Sequence, residues 1–216
     1  MFSSEPTTRS DGTTQRVNVT TGIAELQTML SDVLGQDRAT AIMQSVPPVP
    51  PLRSPLELYI KSQDSGGTSA MTADEFDQIA GNLTTTGGLY PSPINVNTAS
   101  EAVLACIPGL RDLAQTIVAT RQQRTQPSTG LAWIVDAIGD REVATAAGPY
   151  ITGQSWQVMA DVAAVGRYGR GYRRTKFIID NSTGTPRIIY RRNLSPLGWT
   201  LGNEVRQDLA LRKDRR

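Results

Sequence analysis

The chain has 216 residues, enough to bury a core in one large domain or two small ones. Its hydrophobic fraction of 38% and charged fraction of 19% are ordinary for a globular protein. There is no histidine and only one cysteine, Cys106, which excludes an intrachain disulfide, a zinc site of His and Cys ligands, and any catalytic triad with a His base.

The N-terminal part of the sequence predicts a polar lead-in followed by a helical hairpin. Residues 1–15 are polar and lack the apolar stretch of a signal peptide, so we expect a flexible lead-in. Residues 17–46, the first hairpin unit, begin with a short extended Val-Asn-Val and continue with apolar residues at helical spacing. Gly35 should end the first helix, and Ala39, Ile42 and Met43 indicate a second short one.

The middle of the chain predicts a stiff connector and two capped helices. The proline-rich run at 47–51 forbids helix. Ser54 and Glu57, and then Thr72 and Glu75, have the spacing of capping boxes, each placed before apolar residues. The acidic residues in these first turns are explained by the helix dipole rather than by acid–base chemistry or calcium binding.

Residues 94–122, the second hairpin unit, repeat the opening of the first. Ile94-Asn95-Val96-Asn97-Thr98 aligns with Val17-Asn18-Val19-Thr20-Thr21, and Ala114-x-x-Ile117 aligns with Ala39-x-x-Ile42. Thr98 and Glu101 have capping-box spacing, so we expect Thr98 to be the N-cap of a helix. Pro108-Gly109 predicts the turn into the returning helix, with φ > 0 at Gly109.

The C-terminal part changes from helical to strand-like periodicity. Residues 131–138 predict a helix that ends at Gly139, and the residues from Trp156 alternate in polarity as a strand does. Two further strands flank a turn that contains Gly184. The order predicts an α+β fold, with a helical domain at 16–154, strands at 155–205 and a basic tail at 206–216, of which the last six residues should be frayed.

The two ends of the chain differ in charge. Residues 167–216 contain 13 Lys and Arg against 4 Asp and Glu, whereas residues 1–166 contain 9 against 16. The basic end could contact nucleic acid or acidic lipid, but a solvated strand face with a charged tail is the simpler interpretation.

The Asn-x-Asn-Thr pattern at 95–98 resembles a pattern found in two families. Helix-hairpin-helix DNA-binding modules, including competence DNA receptors, combine it with a Gly-x-Gly turn that brings backbone N–H groups to a phosphate. Here Pro108-Gly109-Leu110-Arg111 lacks the second glycine. The first hairpin unit has no Pro-Gly turn, and Asp32 lies where a phosphate would be expected. We therefore keep the DNA-binding module as the alternative.

The chain more closely resembles general secretion pathway protein K, the large minor pseudopilin of type II secretion, from about residue 16 to residue 201. The resemblance rests on the order of five segments, and any one of them alone is weak evidence. They are 16–46 with the first unit, 54–58 with Ser-x-x-Glu-Leu, 94–110 with the second unit, 155–160 with Ser-x-x-x-Val-x-Ala as far as Ala160, and the basic hairpin at 175–192.

This resemblance implies a helical domain with two helix-hairpin-helix-like (SAM-like) units and a C-terminal, antiparallel, pilin-like β part. The implied role is to cap the tip of the pseudopilus on the periplasmic side of the bacterial inner membrane and to help initiate its assembly. The implied partners are other minor pseudopilins and, as a further expectation, secreted substrate proteins. No enzymatic activity, cofactor or metal is expected, and nucleic acid is not an expected partner.

The expected contribution of the second Asn-x-Asn-Thr segment is structural. Asn95, Asn97, Thr98, Glu101, Pro108 and Gly109 should build the second hairpin, and the residues of the partner interface are not identified by the sequence. The family's N-terminal apolar anchor helix is not found in the sequence, and no run of about 20 apolar residues occurs. We therefore expect a soluble fragment or truncated form, with membrane attachment only through that helix.

Overall fold

The structure is a computed structural model that describes residues 8–9, 15–46, 52–64, 66–67, 70–85, 93–124, 130–166 and 171–214. The chain divides into two compact units, Met1–Ser155 and Trp156–Arg216, called here the helical unit and the sheet unit. The mixed α+β class predicted from the order of the elements is confirmed.

The first hairpin unit consists of two helices joined at one glycine. Helix α1 spans Ile23–Leu34 and helix α2 spans Gln36–Ser45. Gly35 lies between them with φ +90°, a conformation that glycine adopts without a Cβ clash, which is why the helical pattern breaks there. Its predicted position is confirmed.

Two helices of the middle section follow, α3 at Pro55–Asp64 and α4 at Ala73–Ala80. The capping box at Thr72 is confirmed, because its side chain accepts from the Glu75 N–H and the Glu75 carboxylate accepts from the Thr72 N–H. The box at Ser54 is half formed. Its hydroxyl accepts from the Glu57 N–H, but the Glu57 carboxylate accepts from the N–H of Arg53 instead.

The second hairpin unit is shorter on its first side than predicted. Helix α5 spans only Glu101–Leu104, and the returning helix α6 spans Ala114–Gln123. The predicted N-cap is wrong: the cap position is Ser100, without a side-chain cap bond. Thr98 still belongs to the preceding turn, where its N–H donates to the Asn95 carbonyl over 3.2 Å. Helix α7, Trp133–Ile138, ends at Gly139 as expected, and helix α8 spans Arg141–Ala147.

Two short parallel strand pairs join distant parts of the helical unit. Strand β1, Val17–Asn18, pairs with β2, Leu83–Thr84. Strand β3, Ile94–Asn95, pairs with β4, Ile151–Thr152. Each hairpin unit therefore begins with a strand that pairs with a later segment of the chain. The sequence did not predict these pairings.

The helical unit has one hydrophobic core to which both hairpin units contribute. The aligned pairs are equivalent in burial: Ala39 and Ile42, like Ala114 and Ile117, are buried. Phe76 of α4 is fully buried and stacks on Tyr59 of α3 with ring centroids 5.1 Å apart. Removing apolar surface from water at about 25 cal/mol per Å² is the main stabilisation of such a core.

The sheet unit is an antiparallel sheet in the order β5-β6-β7, with β5 at Gln157–Val165, β6 at Tyr172–Asp180 and β7 at Arg187–Asn193. The turn between β6 and β7 contains Gly184 at φ +77°, as predicted. Helix α9 then spans Gly202–Asp214. Strands as far as residue 205 and a basic tail frayed over its last six residues were expected, but this helix occupies 202–214 instead. Residues with good helix propensity, rather than an apolar stripe, make up most of this segment of the sequence.

Some predictions concern residues outside the described ranges. The proline-rich connector at 47–51 is one, and so is most of the lead-in at 1–15. Of that lead-in, Thr8 forms an antiparallel bridge with Gln15, and the Arg9 side chain donates to the Gln15 carbonyl over 3.1 Å.

Candidate functional site

The segment Asn95-Val96-Asn97-Thr98 was the most informative motif of the sequence, and its counterpart Asn18-Val19-Thr20-Thr21 forms the same turn. The Asn95 side-chain oxygen accepts from the Asn97 N–H over 2.9 Å, and the Asn18 oxygen accepts from the Thr20 N–H over 2.8 Å. Such a bond from an Asn side chain to the backbone two residues later is an Asx turn. Asn95 therefore contributes to the start of the second hairpin unit through a bond to local backbone.

The Asn97 side chain reaches across the helical unit rather than bonding locally. Its amide nitrogen donates to the Gly130 carbonyl over 3.1 Å and to the Gly153 carbonyl over 2.8 Å. Its oxygen accepts from the Trp133 indole N–H over 3.1 Å. One side chain thus fixes the segments before α7 and after β4 against the start of the second hairpin unit. The sequence indicated Asn97 but not these partners.

Arg121 completes the same cluster from helix α6. One guanidinium nitrogen donates to the Val96 carbonyl over 2.9 Å and to the Ala99 carbonyl over 2.8 Å. These carbonyls belong to the turn between β3 and α5, so a helix-borne cation stabilises backbone that helix hydrogen bonds do not satisfy. Thr98 and Glu101 are exposed at this turn and take no part in the contacts of Asn97 and Arg121.

The Pro108-Gly109 turn is formed as predicted, but its surroundings differ from a phosphate cradle. Gly109 has φ +80°, and a Cβ built on it would lie 3.1 Å from Cγ1 of Val143 in α8. The glycine is therefore required both by its backbone conformation and by close packing against α8. Arg111 is exposed just beyond it. The positive φ and the close packing against Val143 are sufficient to explain why a glycine stands at position 109, without a ligand.

An ion pair fixes the first hairpin unit to helix α4. The Arg38 guanidinium donates from Nε to one Glu75 oxygen over 2.6 Å and from a terminal nitrogen to the other over 2.8 Å. It also donates to the Ala70 carbonyl. Hydrogen bonding by Arg38, aided by Thr72, lowers the pKa of Glu75 to about 2. The Glu75 carboxylate is ionised at neutral pH, and both of its oxygens accept hydrogen bonds from Arg38. We therefore assign it a structural role.

A shallow groove of about 550 Å³ runs between helices α3 and α8. Three cations and three carboxylates line it, above Ile60 and beside Thr145. Arg141 pairs with Asp64 over 2.5 Å, and Arg53 lies 3.6 Å from Glu57. The other two charged residues are Lys61 and Glu142. The groove thus carries equal numbers of positive and negative side chains, four of them in ion pairs, and favours neither an anionic nor a cationic ligand.

Several exposed large apolar side chains of the sheet unit lie on its strands. Val158 and Met159 are 56% and 60% exposed, and Ile188 is 62% exposed. Leu194 is the one buried hydrophobic residue in the described part of this unit. Val158 and Ile188 share one face of the sheet, because both are in register with Ile179, and neighbouring exposed apolar side chains are typical of interaction surfaces. The alternating pattern predicted the strand but not the exposure of these side chains.

Neither a metal site nor a membrane-spanning helix is found within the described residues. None of their Cys, Asp and Glu side chains form a group of three or more that could hold a metal ion. No helix in the same ranges is both long and apolar enough to cross a bilayer.

The described geometry therefore consists of two Asx-turn hairpin units with internal polar contacts and a sheet with exposed apolar side chains. Comparison with known proteins adds no identification, since no family model, curated protein or solved structure matches the chain.

Proposed function

We propose that the chain is a minor pseudopilin of the type II secretion system, similar to general secretion pathway protein K. Its role would be to cap the tip of the periplasmic pseudopilus and to help initiate assembly for protein export. The mechanism is association by surface burial, without a chemical step. The full protein would be held at the inner membrane by an anchor helix.

The observation that carries the proposal is the order of the five segments together with the elements they form. The aligned segments Asn18-Val19-Thr20 and Asn95-Val96-Asn97 open the two hairpin units in the helical unit, and α3 lies between those hairpins. The last two segments contribute to an antiparallel sheet in a separate compact unit. A shared Asx turn alone is compatible with many proteins, whereas this succession of elements supports the pseudopilin interpretation.

The exposed side chains of the sheet unit support an associative role. Val158, Val162 and Ile188 are each half exposed or more. Stable protein–protein interfaces bury more than about 1,000 Å² in total, and apolar side chains at their centre contribute most of the affinity. A subunit of an assembly would present such groups before its partners bind.

The test is reconstitution with the matching minor pseudopilins, produced as soluble domains. Size-exclusion chromatography of an equimolar mixture at micromolar concentration should give one co-eluting peak of larger size. A mixture with major pseudopilin in place of the minor ones is the control. Separate elution in the first mixture would contradict the proposal.

A DNA-binding module is the second candidate, favoured by one observation. Gly109 has the positive φ of a hairpin turn, and the exposed Arg111 follows it. The contact of the Gly109 position with Val143 argues against this candidate, because it gives the glycine a packing role that requires no phosphate. We expect weak, sequence-independent DNA association that disappears between low and physiological salt. Submicromolar binding at physiological salt that is lost in Arg111→Ala would favour the DNA-binding module instead.

A further inference from the structure

The two edges of the sheet are protected to different degrees. Strand β7 carries Arg187, Arg191 and Arg192, and its pairing with β6 shifts register at Ile178 and Ile179. Charged side chains and irregular register are the usual devices that stop an edge strand from pairing with another chain. Strand β5 has no shift of register, and its one charged side chain, Asp161, is paired with Arg174 of β6. Its nine residues contain no Lys, Arg or Pro, and all nine are in continuous register with β6.

Alternate residues of β5 point their backbone groups away from β6. The Asn181 N–H donates to the Trp156 carbonyl, and the Gly166 N–H donates to the Gly171 carbonyl. Bonds at these two even-numbered residues, one at each end of β5, set the antiparallel alternation along the strand. The N–H and C=O groups on the outer edge of β5 are therefore those of the odd-numbered residues: Gln157, Met159, Asp161, Ala163 and Val165. No strand pairs with this edge among the residues that the structure describes.

The two faces beside the outer edge of β5 differ in chemistry. Residues that are directly opposite in a sheet share a face, so Val158, Ala160 and Val162 lie with Ile179, Phe177 and Thr175 on one of them. That face is mainly apolar along β5. On the other face Asp161 is opposite Lys176 and pairs with Arg174 through both oxygens. Its single carboxylate thus meets two cations.

Charge decides between possible occupants of the edge. The three strands contain six Lys and Arg against two Asp. A second copy of the same sheet would add to this positive charge, whereas an acidic segment would offset it. We infer that the outer edge of β5 takes up an extended acidic strand of another protein, whether or not that protein belongs to a pseudopilus. Its apolar side chains would lie beside Val158 and Val162, and its carboxylates would lie on the face of Ala163, where β6 carries Arg174 and Lys176.

The mode of binding is addition of a fourth strand, in which backbone bonds to the odd-numbered residues supply affinity and the side-chain alternation supplies selectivity. An acetylated and amidated nine-residue peptide that alternates Val and Glu is the probe. The same peptide with Lys in place of Glu tests charge, and the Val/Glu peptide with a central Pro tests strand pairing.

The measurements are fluorescence anisotropy for affinity and amide exchange by NMR for location. The acidic peptide should bind at least about tenfold more tightly than the Lys peptide, and this ratio should fall as salt is raised. It should slow exchange at Met159, Asp161 and Ala163 but leave the already bonded Ala160 and Val162 unchanged. Equal binding of all three peptides, or protection elsewhere, would overturn the inference.

A pair of variants separates the edge from the fold. Ala163→Pro removes an outward N–H without removing a bond to β6, so the sheet should remain folded by circular dichroism, and peptide binding should fall at least about tenfold. Ala163→Ser keeps the N–H and should bind normally. Binding unaffected by Ala163→Pro would overturn the inference. So would protection of the odd-numbered amides in the free monomer, or a dimer of the free chain that the Pro variant dissociates, since the edge would then already be covered.

Discussion

The two hairpin units correspond residue by residue in their opening turns but differ in what fixes them. In both, an Asn side chain forms an Asx turn, the residue four positions after it donates back to the Asn carbonyl, and a short parallel partner strand lies alongside. Gly22 donates to Asn18 over 2.8 Å, and Ala99 donates to Asn95 over 2.9 Å. The same local sequence thus gives the same local backbone.

The difference begins two residues after the asparagine of each Asx turn. Thr20 makes one long-range bond, to the Leu52 carbonyl over 2.8 Å, where Asn97 makes three. The first hairpin unit is held instead by Arg38 of α2, which binds Glu75 of α4. A repeated motif therefore specifies a turn, and the residues that differ between the copies specify which neighbours it is fixed to.

The largest effect should come from the side chain with the most partners. Asn97→Ala leaves the Gly130 and Gly153 carbonyls and the Trp133 indole N–H without their bonds, so we expect a loss of about 2–4 kcal/mol in the free energy of unfolding. Thr20→Val, its counterpart, removes one bond and should cost about 1 kcal/mol. Urea denaturation followed by circular dichroism measures both. Equal losses would mean that the two opening turns are fixed equally strongly.

The two hairpin glycines should also respond differently to valine. Gly35 and Gly109 both have positive φ, but only Gly109 has an atom, Cγ1 of Val143, close to the position of a Cβ. We expect Gly109→Val to cost about 2–3 kcal/mol and Gly35→Val about 1–2 kcal/mol. The double variant Gly109→Val with Val143→Ala, compared with Val143→Ala alone, should show a smaller loss. A Gly109→Val protein of full stability that fails to bind DNA would instead indicate a ligand-binding turn.

The ion pair of the first hairpin unit should make its stability depend on pH. The pKa of Glu75 is about 2 in the folded chain and about 4.5 when it is unpaired, so the contribution is complete above pH 4.5 and is lost as the pH falls towards 2. Glu75→Gln should cost about 1–2 kcal/mol at pH 7 and little at about pH 2. Urea denaturation of both proteins across this range is the measurement. Arg38→Lys, which keeps the charge but not the paired geometry, serves as a control, and a difference independent of pH would contradict the assignment.

The smallest effect is expected at the residue that the sequence indicated as a cap. Thr98 is exposed and forms no side-chain cap bond at α5. Thr98→Ala should therefore change the free energy of unfolding by less than about 0.5 kcal/mol, against about 1 kcal/mol for a true N-cap. Thr72→Ala removes a cap bond that is present and supplies the comparison in the same denaturation experiment.

The sequence predicted the features that are decided within a few residues. Helix α1, the break at Gly35, the Thr72 cap and the turn at Gly184 all depend on local spacing or on glycine conformation. The N-cap at Thr98 failed for a local reason as well. Thr98 and Ala99 both donate to the Asn95 carbonyl, so the Asx turn occupies the residues that a helix starting after Thr98 would need.

What the sequence could not predict depends on distant partners. Strand pairs of two residues have no periodicity to detect, and nothing in Val17–Asn18 indicates Leu83–Thr84 as its neighbour. The bonds from Asp77 to the Leu131 and Ala132 N–H groups are of the same kind. The outer edge of β5 was not predicted as a candidate site for a related reason. The exposure of its residues depends on tertiary structure and not on the local sequence.

The two short parallel pairs also divide the helical unit into consecutive closed loops. The first runs from Val17 to its partner Leu83, and the second begins later, at Ile94, and closes at Ile151. Because the loops do not overlap, a chain emerging from the ribosome can close the first before the second has been synthesised. Each closure costs only a few kcal/mol of chain entropy and is completed by its own helices. Pulse-labelled exchange on ribosome-bound chains should thus protect the Val17 and Val19 amides, bonded over 2.8 and 2.9 Å, before that of Val96.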